Sequence, residues 1–210
     1  MTAKKNSGHI VLYLIAKSDA LSKIRLAGPA DAEAMLEIYA PYVRDTSITF
    51  ETEVPTTEQF AQRVADYTRE FPWIVYEIGG KVAGYAYGSR YRERLAYQWS
   101  VECSVYIHPD FQHRGIGQKL YTALFRILKA QMFRNVYAVI NLPNDPSVRL
   151  HEQMGFKWFA TYERVGYKLG RWKNVGWWGL VLNEFGDEPD PPLKFPQLNG
   201  DLLDEICQAV

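Results

Sequence analysis

Apolar residues recur along this chain in two periods, and the switches between them predict its elements. Ile24-Arg25-Leu26 reads as a short strand. Pro29 then suits the first turn of a helix that carries Ala34, Met35, Ile38, Tyr39 and Tyr42 on one face. Thr56-x-x-Gln59 reads as a capping box, and Phe60, Val64, Tyr67 and Phe71 follow at helical spacing. Strands are expected over 73–78 and 81–87, joined by Gly79-Gly80, a hairpin signal. A long strand over 99–107 puts Trp99, Val101, Cys103, Val105 and Ile107 on one face and Ser100, Glu102, Ser104, Tyr106 and His108 on the other. Leu120, Leu124, Ile127 and Leu128 mark a helix from 115 to about 132, followed by a strand over 136–140 and a further helix. Two final strands are expected over 157–162 and 175–182. The order β-α-α-β-β-β-α-β-α-β-β is mixed α/β. Pro189-Asp190-Pro191-Pro192 ends the domain, giving a leader (1–23), a domain (24–186) and a tail (187–210).

Bulk properties narrow the class. The 210 residues fit one domain with a buried core, and 47% hydrophobic content argues against disorder. Lys+Arg and Asp+Glu number 24 each, so no basic field points to nucleic acid. No apolar stretch is long enough to span a membrane. Lys4-Lys5 before Ile10-Val11-Leu12-Tyr13-Leu14-Ile15-Ala16 imitates a signal peptide, but the run is short and no clear cleavage site follows. A leader segment or an extra strand is the expectation there. Cys103 and Cys207 read as free thiols in a reducing cytoplasm. His9, His108, His113 and His151 lack zinc spacing, so no metal is expected.

The stretch Gln112-His113-Arg114-Gly115-Ile116-Gly117 joins the long strand to a helix. A glycine-containing loop running into a helix N-terminus presents free N–H groups at the positive end of a dipole, which suits a phosphate or pyrophosphate. It is neither a Walker loop nor a dinucleotide fingerprint, whose third glycine would fall at Leu120.

This Q-x-x-G-x-G pattern resembles the acetyl-CoA loop of the GNAT acetyltransferase superfamily. Asn144-Asp145-Pro146-Ser147-Val148-Arg149-Leu150-His151-Glu152-Gln153-Met154-Gly155-Phe156 is similar to the family's next helix and strand start. The resemblance implies the GNAT fold: a mixed, mostly antiparallel central sheet flanked by helices. It implies acetyl-CoA as co-substrate, with His113, Arg114, Gly115, Ile116, Gly117 and Gln118 around the pyrophosphate. The backbone of Val105, Tyr106 and Ile107 would bind the pantetheine amides, and Asn144 the pantetheine arm.

Four segments resemble one branch, the phosphinothricin and methionine-sulfoximine N-acetyltransferases. They are Thr49-Phe50-Glu51-Thr52-Glu53, the run from Tyr91 through Glu102, Asn141-Leu142-Pro143-Asn144-Asp145-Pro146-Ser147-Val148-Arg149, and the run from Val165 to Gly176, in which Asn174 stands where the branch has Asp. Together the resemblance covers about 24–185. The branch implies a homodimer and a small amino-acid substrate, with no nucleic-acid or membrane partner.

Acetyl transfer needs a neutral amine, whereas an α-amino group with a pKa of about 8 is mostly ammonium at pH 7. A base must take the proton. On pattern alone Glu102 is either a solvated strand glutamate or that base; the resemblance assigns it the base. His151 is either a helix histidine bonded to backbone or, by resemblance, a proton donor to the departing thiolate or a substrate-positioning group. Arg92 and Arg94, with Leu95, Ala96 and Tyr97, form either a solvated turn or, by family position, the substrate site, where guanidinium groups would grip carboxylate-like groups. Trp158, Phe159, Trp172, Trp177 and Trp178 read as core or dimer interface rather than a ligand box. Two rival functions stay open: acetylation of another amine (a polyamine, an aminoglycoside or a protein N-terminus), and a non-catalytic CoA-binding regulatory module.

Overall fold

A computed structural model describes residues 22–209. The expected leader falls outside them up to residue 21; Ser22 and Lys23 already belong to the first strand. The elements are β1 (Ser22–Leu26), α1 (Ala32–Asp45), α2 (Thr57–Tyr67), β2 (Trp73–Ile78), β3 (Lys81–Arg90), β4 (Ser100–Ile107), α3 (Ile116–Ala130), β5 (Asn135–Leu142), α4 (Asp145–Gln153), β6 (Lys157–Lys168), β7 (Arg171–Val181) and α5 (Gly200–Gln208). The strands form one sheet in the order β1-β2-β3-β4-β5-β7-β6. Every neighbouring pair is antiparallel except β4–β5.

Local chemistry sets the boundaries. Thr56 and Gln59 complete the capping box at α2, with Thr56 Oγ1 accepting from the Gln59 N–H at 3.2 Å. Gly79 and Gly80 both have positive φ, which a tight hairpin turn requires.

Both faces of the sheet are covered. On one, α3 packs over β2, β3 and β4, burying Leu120, Leu124, Ile127 and Leu128 against Val101, Cys103 and Val136. On the other, α1 and α2 bury Met35, Ile38, Phe60 and Val64 against Trp73, Val75 and Tyr85. The alternation along β4 therefore separates two cores instead of core from water.

Two stretches differ from the sequence expectation. The final hairpin is longer, because β6 and β7 continue to a turn at Leu169 and Gly170, both at positive φ. Its register breaks between Tyr162 and Gly166, where Arg164 also takes positive φ. Asn174 Oδ1 accepts the Arg164 N–H at 2.8 Å there, so the amide oxygen supplies an acceptor just as a carboxylate would. Residues 187–210, expected as a tail, carry α5, whose Leu203, Ile206 and Cys207 are buried in the α3-side core. The approach is pinned as well: Gln131 Nε2 donates to the Leu193 carbonyl at 2.7 Å, and Trp99 Nε1 to that of Asp190 at 2.9 Å. The prolines read as the end of the domain instead lead to a docked helix.

Candidate active site

β4 and β5 pair only at Ser100–Asn135, Val101–Val136 and Glu102–Tyr137. Beyond that point β4 stays with β3 as far as Ile107, and β5 stays with β7 as far as Leu142. The right-handed twist of each half-sheet carries them apart. A cleft opens between them, walled by Val105, Ala138, Val139 and Ile140; its apex is the last paired rung, at Glu102 and Tyr137. Val105, Tyr106 and Ile107 lie on this free edge. One of their acceptors is already engaged, since Tyr42 Oη donates to the Ile107 carbonyl at 2.7 Å. The Tyr106 ring packs edge-on against Tyr39 and Tyr42 in the helix-covered core.

Glu102 projects to the α1–α2 side. Its carboxylate meets Arg92 Nη1 at 3.4 Å, with side chains 28% and 46% exposed respectively. Burial raises the Glu102 carboxyl above the ordinary carboxylate range, and the Arg92 guanidinium opposes that rise. Arg92 lies over the rings of Tyr91 (4.4 Å) and Trp177 (5.4 Å). Two residues expected in different roles are thus brought together at the apex. Arg94 is exposed, and among the described residues no hydrogen bond or ion pair joins it to Glu102. Leu95, Ala96 and Tyr97 form an exposed 3₁₀ turn, with Tyr97 set edge-on to Tyr91 at 5.8 Å. Beside the cleft, Lys168 Nζ donates to the Thr49 carbonyl at 2.8 Å and holds the α1–α2 loop, from which Ile48 reaches the opening.

On the opposite side of the cleft His151 is 4% exposed. Its Nδ1 lies 2.7 Å from the Ser147 carbonyl, which must receive an N–H, so Nε2 is left bare. Tyr121 Oη stands 3.0 Å from Nε2 and donates to it. Burial lowers the His151 pKa and the Ser147 carbonyl raises it, with burial prevailing. The ring is therefore neutral at pH 7, with both nitrogens in use.

The loop expected to hold a phosphate ends at α3 with no side-chain cap; Gly115, the N-cap, has φ of 75°. Nothing lies within 4 Å of where a Gly115 Cβ would stand. His113, also at positive φ, and Arg114 are exposed. Arg114 folds back to donate to the Asp110 carbonyl at 3.1 Å, and Gln112 anchors the loop to Tyr42 Oη at 3.2 Å. Ile116 is buried beneath the loop, and Gln118 donates to Gln153 at 3.0 Å. Asn144 caps α4, accepting the Ser147 N–H at 3.3 Å, and lines the cleft. Free helix N–H groups, open space at Gly115 and a slot between two half-sheets fit a pyrophosphate with its pantetheine arm.

Gly117 has a different neighbour from the one its motif suggests. A Cβ there would stand 3.1 Å from Leu150 Cδ2 on α4. Gly117→Ala is expected to be coupled to Leu150: the added methyl crowds Leu150 and offsets the helix-propensity gain, and Leu150→Ala removes that crowding. Urea unfolding of both single variants and the double variant reads the coupling. A Gly117→Ala effect on stability that is the same in the wild-type and Leu150→Ala backgrounds would leave the glycine to the bound anion alone.

The sequence reading missed Tyr91, Trp177, Tyr121 and Asn141. Asn141 is 7% exposed, lines the cleft, and accepts from Ser47 Oγ at 3.4 Å. Ser47 reaches it from the α1–α2 loop and Val175 pairs with it from β7, a convergence no single stretch of sequence displays.

A family profile described as the acetyltransferase (GNAT) domain matches residues 24–177. The chain is 42% identical over 156 residues to a phosphinothricin N-acetyltransferase of Streptomyces viridochromogenes, covering 74% of this chain and 85% of that one. It is 35% identical to an L-methionine sulfoximine/L-methionine sulfone acetyltransferase of Salmonella typhimurium, covering 77% and 95%. Among solved structures, the phosphinothricin acetyltransferase of Sinorhizobium meliloti in complex with AcCoA superposes with a TM-score of 0.76 at 33% identity, covering 81% of this chain and 93% of that one. With its sheet order and split β4–β5 pair, this chain belongs to the GNAT acetyltransferase family.

Proposed function

We propose that this enzyme moves the acetyl group of acetyl-CoA to the α-amino group of a glutamate-like or methionine-derived amino acid. Phosphinothricin, methionine sulfoximine and methionine sulfone are the substrates its relatives' names suggest. The observation that carries this reading is the Glu102–Arg92 pair at the cleft apex. An α-amino acid is a zwitterion, and this pair is its complement: the ammonium meets Glu102 while Arg92 turns to the carboxylate. Glu102 then takes the ammonium proton, and the freed amine attacks the acetyl carbon in a ternary complex. His113 to Gln118 would hold the pyrophosphate, and Asn144 the pantetheine arm.

A cationic acceptor such as a polyamine would want an acidic cleft, and Arg92 beside the base disfavours it. We also propose a homodimer. The edge hairpin exposes Trp158 (57%), Phe159 (53%) and Trp172 (62%), apolar area of the kind that symmetric association covers. The cytoplasm suits Cys103 and Cys207, free and buried. Among the described residues no helix is long and apolar enough to cross a membrane.

A thiol-release screen tests the reading. Purified enzyme with acetyl-CoA is offered amino acids, their sulfone, sulfoximine and phosphinate analogues, polyamines and aminoglycosides. Rapid CoA release is expected with the amino-acid analogues. Release only with cationic amines would overturn the substrate class, and CoA binding without release would favour the regulatory module.

A further inference from the structure

We propose that Tyr121 is a catalytic residue, the hydrogen-bond donor to the departing CoA sulfur, and that His151 positions it. This rests on the acetyl-transfer reading above. Tyr121 lines the cleft at 1% exposure, on the side opposite Glu102, with its hydroxyl at His151 Nε2 and against the Cys103 thiol. His151 cannot serve as donor itself. Its N–H is spent on the Ser147 carbonyl, and its bare nitrogen already accepts from Tyr121. The only hydrogen that this pair can turn toward the cleft is the phenolic one.

The electron accounting is simple. Collapse of the tetrahedral adduct breaks the C–S bond, the electron pair stays on sulfur, and the adduct nitrogen gives its remaining extra proton to water. The Tyr121 hydroxyl rotates from Nε2 to that sulfur and stabilises the thiolate, which takes its proton from water on release. Burial holds the Tyr121 hydroxyl well above its ordinary pKa, so it donates a hydrogen bond and keeps its proton. A bond to an anion is roughly twice as strong as one to a neutral acceptor. The hydroxyl therefore prefers His151 in the ground state and sulfur only as charge appears, which is selective transition-state binding.

Tyr121→Phe removes one oxygen and tests this in two ways. In turnover, kcat is expected to fall about tenfold, with a smaller penalty for an acetyl thioester of a more acidic thiol. At equilibrium, the thiol of enzyme-bound CoA is titrated by its thiolate absorbance, with desulfo-CoA as the blank. Its pKa should rise by about one unit in Tyr121→Phe, the scale of one charge-assisted bond. Cys103, pushed up to about 12 chiefly by burial, stays silent in that range. His151→Gln should give a smaller change, and the double variant no more than Tyr121→Phe alone. An unchanged bound-thiol pKa in Tyr121→Phe, or a shift seen only in His151→Gln, would overturn the assignment. A wild type that binds CoA but acetylates no amine would instead sink the acetyl-transfer reading.

Discussion

Glu102→Gln is expected to lower kcat by about 10²-fold or more at neutral pH while leaving the fold intact. The substitution keeps shape and removes basicity. Glu102 sits where β4 leaves β5, its side chain partly exposed beside Arg92 and its backbone held by the last rung of the parallel pair. Burial raises its pKa, and a raised carboxylate is a stronger base. The acid limb of kcat/KM should therefore lie above the ordinary carboxylate range, with activity lost as pH falls through it. The stability sign runs the opposite way. A carboxyl with a raised folded-state pKa favours folding below its unfolded pKa, and that contribution is lost as pH rises through the folded value. At neutral pH the ionised Glu102 is thus a small liability to the fold, and the Gln variant should melt no lower than wild type. A loss confined to the substrate KM would make Glu102 a binding group instead.

Much of this frame is written in short-range pattern. The capping box at Thr56, the glycine hairpin at 79–80 and the β4 alternation are local signals, and each element forms where they put it. The β6–β7 extension is not local: Gly166, Lys168, Gly170 and Arg171 weaken the strand signal, and cross-strand pairing with β7 overrides it. The docking of α5 depends on an apolar face at Leu203, Ile206 and Cys207 that only a folded partner surface reveals. At the site, the sequence shows Glu102 and His151 as candidates, but not that they stand on opposite sides of a cleft. Nor does it show that Arg92 reaches Glu102 across ten residues, while Arg94, two residues further on, does not. His151's engagement of both ring nitrogens is likewise a tertiary fact, created by Tyr121 thirty residues away on α3.

Arg92→Ala is expected to lower kcat/KM for amino-acid substrates by about 10- to 150-fold, the equivalent of ~1.5–3 kcal/mol for one charged hydrogen bond. Simple amines without a carboxylate should lose far less. Arg92→Lys keeps the charge but not the planar fork, so it too should impair the amino acids. Arg94→Ala, at an exposed position, is the comparator and should have the smaller effect. Stability should barely move in any of the three, because the Arg92–Glu102 pair is partly solvated and such pairs contribute little. A second consequence separates electrostatics from contact. Arg92 holds the Glu102 pKa down against burial. Its removal should carry the acid limb of kcat/KM to higher pH, and Arg92→Lys should retain part of that restraint. An Arg92→Ala enzyme with unchanged kcat/KM on every accepted analogue, and an unmoved acid limb, would dismiss the zwitterion complement and leave Glu102 as base for some other amine.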